Sequence, residues 1–161
     1  MRDLVRRRWP AAIVVLAAVL VAAAAAVVAV APASAPNAAK TKSINAHVTL
    51  AQLTQSGNTS KDAGEYVGTP GRRSAVLQRV VQTGQTATAN GTVFTRVGKW
   101  KYRADVTVTP QPGGSLGFTG RAKITGGTGR YSDAHGHFTF TGSAPRNSNV
   151  ATFQVTGTIK F

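Results

Sequence analysis

Between Lys99 and Phe161 the chain alternates apolar and polar residues with a period of two, and few folds can satisfy such a pattern. In Lys99–Thr109, Trp100, Tyr102, Ala104, Val106 and Val108 share one face, and Lys99, Lys101, Arg103, Asp105 and Thr107 share the other. The next run sets Leu116, Phe118, Gly120, Ala122 and Ile124 against Thr119, Arg121, Lys123 and Thr125. Gly136, Phe138 and Phe140 then oppose His135, His137, Thr139 and Thr141. The last run places Ala151, Phe153, Val155, Gly157, Ile159 and Phe161 against Thr152, Gln154, Thr156, Thr158 and Lys160. Successive side chains on a strand point to opposite faces, so each run is a half-buried antiparallel strand with one wet face.

Earlier segments carry the same composition with a weaker pattern. Ile44, Ala46, Val48 and Leu50 alternate cleanly, whereas Ser74–Val81 and Thr86–Val97 are strand-like with ambiguous facing, and Gly64–Val67 is a short strand between polar turns. Helix is nearly absent, because Thr, Val and Phe favour a pleated surface and Gly interrupts helices. Seven or eight strands spaced at turn signals predict an all-β sandwich or barrel, and closing the sheet removes its exposed edges. The chain has 161 residues, 42% of them hydrophobic, which suits one domain with a real core. It has no cysteine, which excludes disulfides, thiol nucleophiles, iron–sulfur clusters and thiolate zinc sites together.

The N-terminal third has a different character. Arg2, Arg6, Arg7 and Arg8 precede an unbroken apolar run from Ala11 to Ala31. A basic head, an apolar stretch and small residues at 31–35 are the layout of a secretory signal, with cleavage expected after Ala33. The run is also long enough to span a bilayer, so an uncleaved anchor is the other reading. Both leave the arginines inside and the following domain outside the cytoplasmic membrane. Residues 1–33 are therefore assigned to a signal peptide or membrane anchor, 34–43 to a flexible linker, and 44–161 to the β domain, in an extracellular or cell-envelope setting.

The whole chain carries a net charge of +14; residues 34–161 keep 15 Lys/Arg and 4 Asp/Glu, leaving +11. Such a surface suits an anionic membrane or a cell-wall polymer, while export leaves nucleic acid as no expected partner. Lys99, Lys101, Arg103, Arg121 and Lys123 fall on outward positions and form a cationic stripe if their strands pair.

The turns hold the most specific sequence. Residues 124–136 read Ile-Thr-Gly-Gly-Thr-Gly-Arg-Tyr-Ser-Asp-Ala-His-Gly, and Gly126, Gly127 and Gly129 suit a tight hairpin between Phe118–Thr125 and Ala134–Thr141. A phosphate-binding loop would need a Lys-Ser/Thr pair and a following helix, and neither is present. Phe118–Tyr131, with Ala134-His-Gly136 and Phe138–Gly142, resembles the allene oxide cyclase-like barrel superfamily, to which plant allene oxide cyclases and dirigent proteins belong. The match is best over 114–161 and thinner over 44–110, where Gly91–Thr95 is similar to a family strand. The resemblance implies an eight-stranded antiparallel β-barrel with an apolar interior cavity, trimeric in many plant members. It also implies a cyclase-type or intermediate-holding activity, but no catalytic residue carries over.

The remaining chemistry is sparse. The acidic residues after the signal are Asp62, Glu65, Asp105 and Asp133, of which Asp105 faces outward and Asp133 sits in the hairpin. His135, His137 and His47 share outward parity and are expected in solvent rather than on a metal. No nucleophile elbow supports a hydrolase. Trp100, Tyr102, Phe118, Phe138, Phe140 and Phe153 are expected to face inward, with Tyr102 as the polar contact. Small residues between them, such as Ala104, Gly120 and Gly157, are expected to leave room for a ligand. The reading is an exported barrel that binds a small apolar or amphipathic ligand without cofactor or metal. The alternatives are a cyclase or isomerase confining a reactive intermediate, and a basic structural envelope protein. An inward Asp62 or Glu65 beside an empty cavity would favour the enzyme.

Overall fold

The computed structural model describes residues 39–161, so the signal or anchor and the first half of the linker lie outside the described residues, while Thr41–Ser43, expected in the linker, already belong to the first strand. The β domain is a closed barrel of eight antiparallel strands, each paired with the next and the last with the first. The strands are β1 (Thr41–Ser56), β2 (Thr59–Thr69), β3 (Arg72–Thr83), β4 (Thr86–Thr95), β5 (Gly98–Pro110), β6 (Leu116–Gly129), β7 (His135–Ala144) and β8 (Val150–Lys160). One 3-10 turn, Pro112–Gly114, interrupts the β5–β6 connection. Closure leaves no free edge, so the backbone of this Thr- and Gly-rich chain is satisfied by its own ladders. Two-residue turns join β1 to β2 and β3 to β4, and Gly57 (φ 57°) and Gly84 (φ 61°) supply the left-handed conformation those turns need.

The expected inward rows of β1 and β5 are buried as alternation predicts, from Ile44 to Leu50 and from Trp100 to Val108, with Val106 half-buried. Two segments differ from expectation. The short strand expected at Gly64–Val67 is the eleven-residue β2. Its inward row is Ser60, Asp62, Gly64, Tyr66 and Gly68, so polar and small residues hide the alternation. The run Gly126–Gly129 is the end of β6 rather than a turn. The register shifts there, with Lys101 opposite Gly126 and Tyr102 opposite Ile124, so Thr125 is bulged out. The true turn is Arg130–Ala134, and its Tyr131 is buried, 4.8 Å from the Phe161 ring.

The two ends of the barrel are built differently. The β2–β3, β4–β5 and β6–β7 turns share one end with the outer ends of β1 and β8, and there the interior is filled. Ile44, Tyr66, Val93, Ile124 and Ile159 close it with Trp100, all almost wholly excluded from solvent. Burial of each such side chain stabilises by about 1.5–3 kcal/mol. Toward the opposite end the interior opens.

Candidate functional site

The interior holds a cavity of about 250 Å³ between the Trp100 floor and the end formed by the β1–β2, β3–β4, β5–β6 and β7–β8 turns. All six inward aromatics expected from the sequence line it: Trp100, Tyr102, Phe118, Phe138, Phe140 and Phe153. They form one connected wall. Trp100 and Phe138 meet edge-to-face at 6.0 Å, Tyr102 and Phe138 at 5.4 Å, and Phe140 and Phe153 at 6.0 Å. Of the small residues expected to leave room, Ala104 lines the cavity, whereas the space over Gly120 is filled. Phe140 lies over Gly120, and Phe153 over Gly142, each on the neighbouring strand. The space is bordered on β2 and β3 by the polar side chains of Ser60, Asp62, Gln78 and Gln82, and on the other strands in part by alanines such as Ala89, Ala104 and Ala151.

Two of those polar side chains belong to a row across four strands. Asp62 on β2 stands opposite Gln78 on β3, Gln78 opposite Gly91 on β4, and Gly91 opposite Tyr102 on β5. A Cβ at Gly91 would overlap the Tyr102 ring, so glycine lets the ring cross β4 and reach β3. The Tyr102 hydroxyl donates to Gln78 Oε1 at 2.9 Å, and Gln78 Nε2 donates to Asp62 Oδ2 at 2.9 Å. This polarity is forced: an ionised carboxylate only accepts, so Gln78 must turn its NH₂ toward Asp62 and its carbonyl oxygen toward the phenol. Burial first, and the nearby Asp62 charge second, push the Tyr102 phenol well above its ordinary pKa of 10.0, so it stays a donor. Tyr66, 1% exposed, is likewise raised by burial and then by Tyr131, and its hydroxyl donates to the Thr69 carbonyl at the closed end.

Tyr102 was expected to offer its hydroxyl to a ligand; that hydroxyl is committed to Gln78. The residues that sequence reasoning missed are Gln78 and Gly91, while Asp62 was named without its facing being fixed. Parity counted from Tyr66 and from Val76 would have turned Asp62 and Gln78 inward. Glu65 faces outward in an ion pair with Arg73, the one salt bridge among the described residues. Trp100 is 1% exposed, and its indole Nε1 is the one buried side-chain nitrogen or oxygen among the described residues without a partner.

The basic positions lie on paired strands. Lys101 and Arg103 on β5, and Arg121 and Lys123 on β6, are exposed on the outer face, and Lys99 is half-buried beside them. Arg103 stands opposite Lys123, and Asp105 opposite Arg121. His137 extends the row beyond Lys123, and Lys160 stands opposite His135. His47, His135 and His137 are exposed, and among the described residues no three His, Asp or Glu side chains are grouped to hold a metal ion.

No protein-family model matches the chain, and neither a curated protein nor a solved structure matches it.

Proposed function

We propose that the protein is an exported binding barrel that holds one small amphipathic molecule, without turnover, in the cavity above Trp100. One observation carries this reading: a cavity of about 250 Å³ with an aromatic wall on one side and the Asp62–Gln78–Tyr102 row on the other. Eight-stranded barrels stand at the size where the interior is either filled or holds one small ligand. Here half is filled and half is open. A mostly apolar lining with a few placed polar groups is the usual composition of a small-molecule site. Export rests on the basic head and apolar run at 2–31, and kinship with the allene oxide cyclase-like superfamily on residues 118–142.

Native mass spectrometry of the protein purified under mild conditions from its own host tests the reading. The expected result is a reproducible extra mass of small-molecule size that is lost on denaturation. A clean apo mass, together with failure of the cavity to take up any small probe, would overturn it.

Asp62 favours a second reading, a cyclase or isomerase that confines a reactive intermediate, because its carboxylate faces the cavity. That reading requires the compound recovered from Asp62→Asn protein to differ in structure from the one recovered from wild type. Identical compounds leave the barrel a binder.

A further inference from the structure

The charge inside the barrel is opposite to the charge outside it. The chain is strongly basic, and Lys101, Arg103, Arg121 and Lys123 all point away from the interior. Among the described residues lining the cavity there is no Lys, Arg or His, and Asp62 is the one carboxylate. A carboxylate facing an apolar cavity is unfavourable unless it is paired or hydrogen-bonded. Asp62 has one such partner: among the described side chains, Gln78 alone hydrogen-bonds it. Gln52 stands opposite Asp62 on β1 but gives its amide to Gln55, at 2.7 Å.

The direction of the hydrogen bonds sharpens the requirement. Donation runs from Tyr102 to Gln78 to Asp62 and ends on an acceptor with unused lone pairs. A ligand atom that completes the row must therefore donate. A cationic donor would both complete it and neutralise the charge, and charge-assisted bonds of this kind are roughly twice as strong as neutral ones. A carboxylate ligand would meet acceptor against acceptor and like charge against like. The rings of Trp100, Tyr102 and Phe138 offer an apolar wall whose faces also attract cations. Volume sets the size: an apolar cavity of about 150 Å³ accommodates benzene, so this one suits roughly ten non-hydrogen atoms.

We propose that the cavity selects a small organic amine whose ammonium group donates to Asp62 at the end of the Tyr102–Gln78–Asp62 row, while its apolar body packs on the aromatic wall. The proposal rests on the binding-barrel reading and adds the class of ligand.

Three probes of nearly equal shape and different charge test it: 2-phenylethylamine, 2-phenylethanol and phenylacetate, each titrated into the full-length protein and followed by calorimetry. The expected order is amine, then alcohol, then carboxylate, with the amine at least about tenfold tighter than the alcohol, a difference of about 1.4 kcal/mol. This order runs against the net charge of the molecule, which would attract the carboxylate to the exterior. Asp62→Asn is expected to remove the amine's advantage over the alcohol, weakening the amine by the larger factor; Asp62→Ser serves if the first variant does not fold. Alcohol or carboxylate binding as tightly as the amine would overturn amine selectivity and leave the binding barrel standing. An amine preference that survives loss of the carboxylate would do the same. Binding of none of the three at millimolar concentration would overturn the proposal, and with a clean apo mass the binding barrel as well.

Discussion

Removing a single buried hydroxyl should make this barrel less stable near neutrality and more stable in alkali. Tyr102 is 9% exposed, and its hydroxyl is bonded to Gln78. Tyr102→Phe deletes that bond and leaves Gln78 Oε1 without its donor, at a cost of about 1 kcal/mol at pH 8. The alkaline side follows from linkage. The folded pKa is raised above the unfolded value of 10.0, by burial first and Asp62 second, so above pH 10 the unfolded chain releases a proton that the folded chain keeps. The contribution is intact below pH 10 and declines as pH rises toward the folded pKa. At pH 11 the loss is on the order of 1 kcal/mol for one such phenol. Tyr66, also raised by burial, loses a similar amount in both proteins. The variant is spared the Tyr102 share. The variant's deficit should therefore shrink above pH 10 and reverse by about pH 11.

Urea unfolding followed by far-ultraviolet circular dichroism, at half-unit steps from pH 8 to 11.5, reads both curves. Every group other than the Tyr102 hydroxyl is common to both proteins and cancels in the difference. A gap between variant and wild type that stays constant through pH 11 would refute the reasoning, because it would mean that Tyr102 ionises as readily in the fold as out of it. A gap that widens would refute it more strongly.

Gly91→Ala should destabilise the barrel by about 1–3 kcal/mol in the same assay, because the new Cβ overlaps the Tyr102 ring in a packed wall. An unchanged midpoint would show that the ring does not need to cross Gly91. On the outer face, replacing Lys101, Arg103 and Arg121 together with Ser should abolish salt-sensitive retention on anionic vesicles, which is measured by co-sedimentation across a salt series. Each substitution should shift stability by less than about 0.5 kcal/mol, since all three side chains are exposed. Undiminished retention would remove the case for the stripe as a polyanion surface.

The strands most legible in the sequence are those whose inward rows are wholly apolar or small. On β5, every inward residue from Trp100 to Val108 is apolar and every outward one from Lys99 to Thr107 is polar, so alternation identifies both strand and facing. On β3 both rows are mixed: Ser74, Val76, Gln78 and Val80 face in, while Arg73, Ala75, Leu77 and Arg79 face out, with Leu77 48% exposed. Single-strand periodicity cannot orient such a segment. On β2 the inward Asp62 and Ser60 hide all of the strand but the short stretch Gly64–Val67. The polar groups that line the cavity are thus the ones that erase the pattern by which strands are recognised. The interior space was legible only in outline, because alternation shows which residues face inward but not which aromatic folds over which glycine.

What joins Asp62, Gln78, Gly91 and Tyr102 is register, and register in this fold is set by turns. Each hairpin fixes the pairing along its whole ladder unless a bulge intervenes. Gly68 opposite Arg72 at the β2–β3 turn commits Asp62 to face Gln78 six residues further out. Thr83 opposite Thr86 at the β3–β4 turn places Gln78 against Gly91, and Thr95 opposite Gly98 at the β4–β5 turn places Gly91 against Tyr102. None of these three ladders shifts register, whereas β1–β2 and β5–β6, which flank them, both do. The unshifted hairpins are therefore the part of the barrel able to hold a straight row of side chains from β2 to β5. A one-residue change in any of the three turns would break that row, and in the β2–β3 or β4–β5 turn it would disturb the packed end beneath Trp100 as well. The turns that look most dispensable in the sequence are, on this account, the determinants of which side chains meet along the cavity wall.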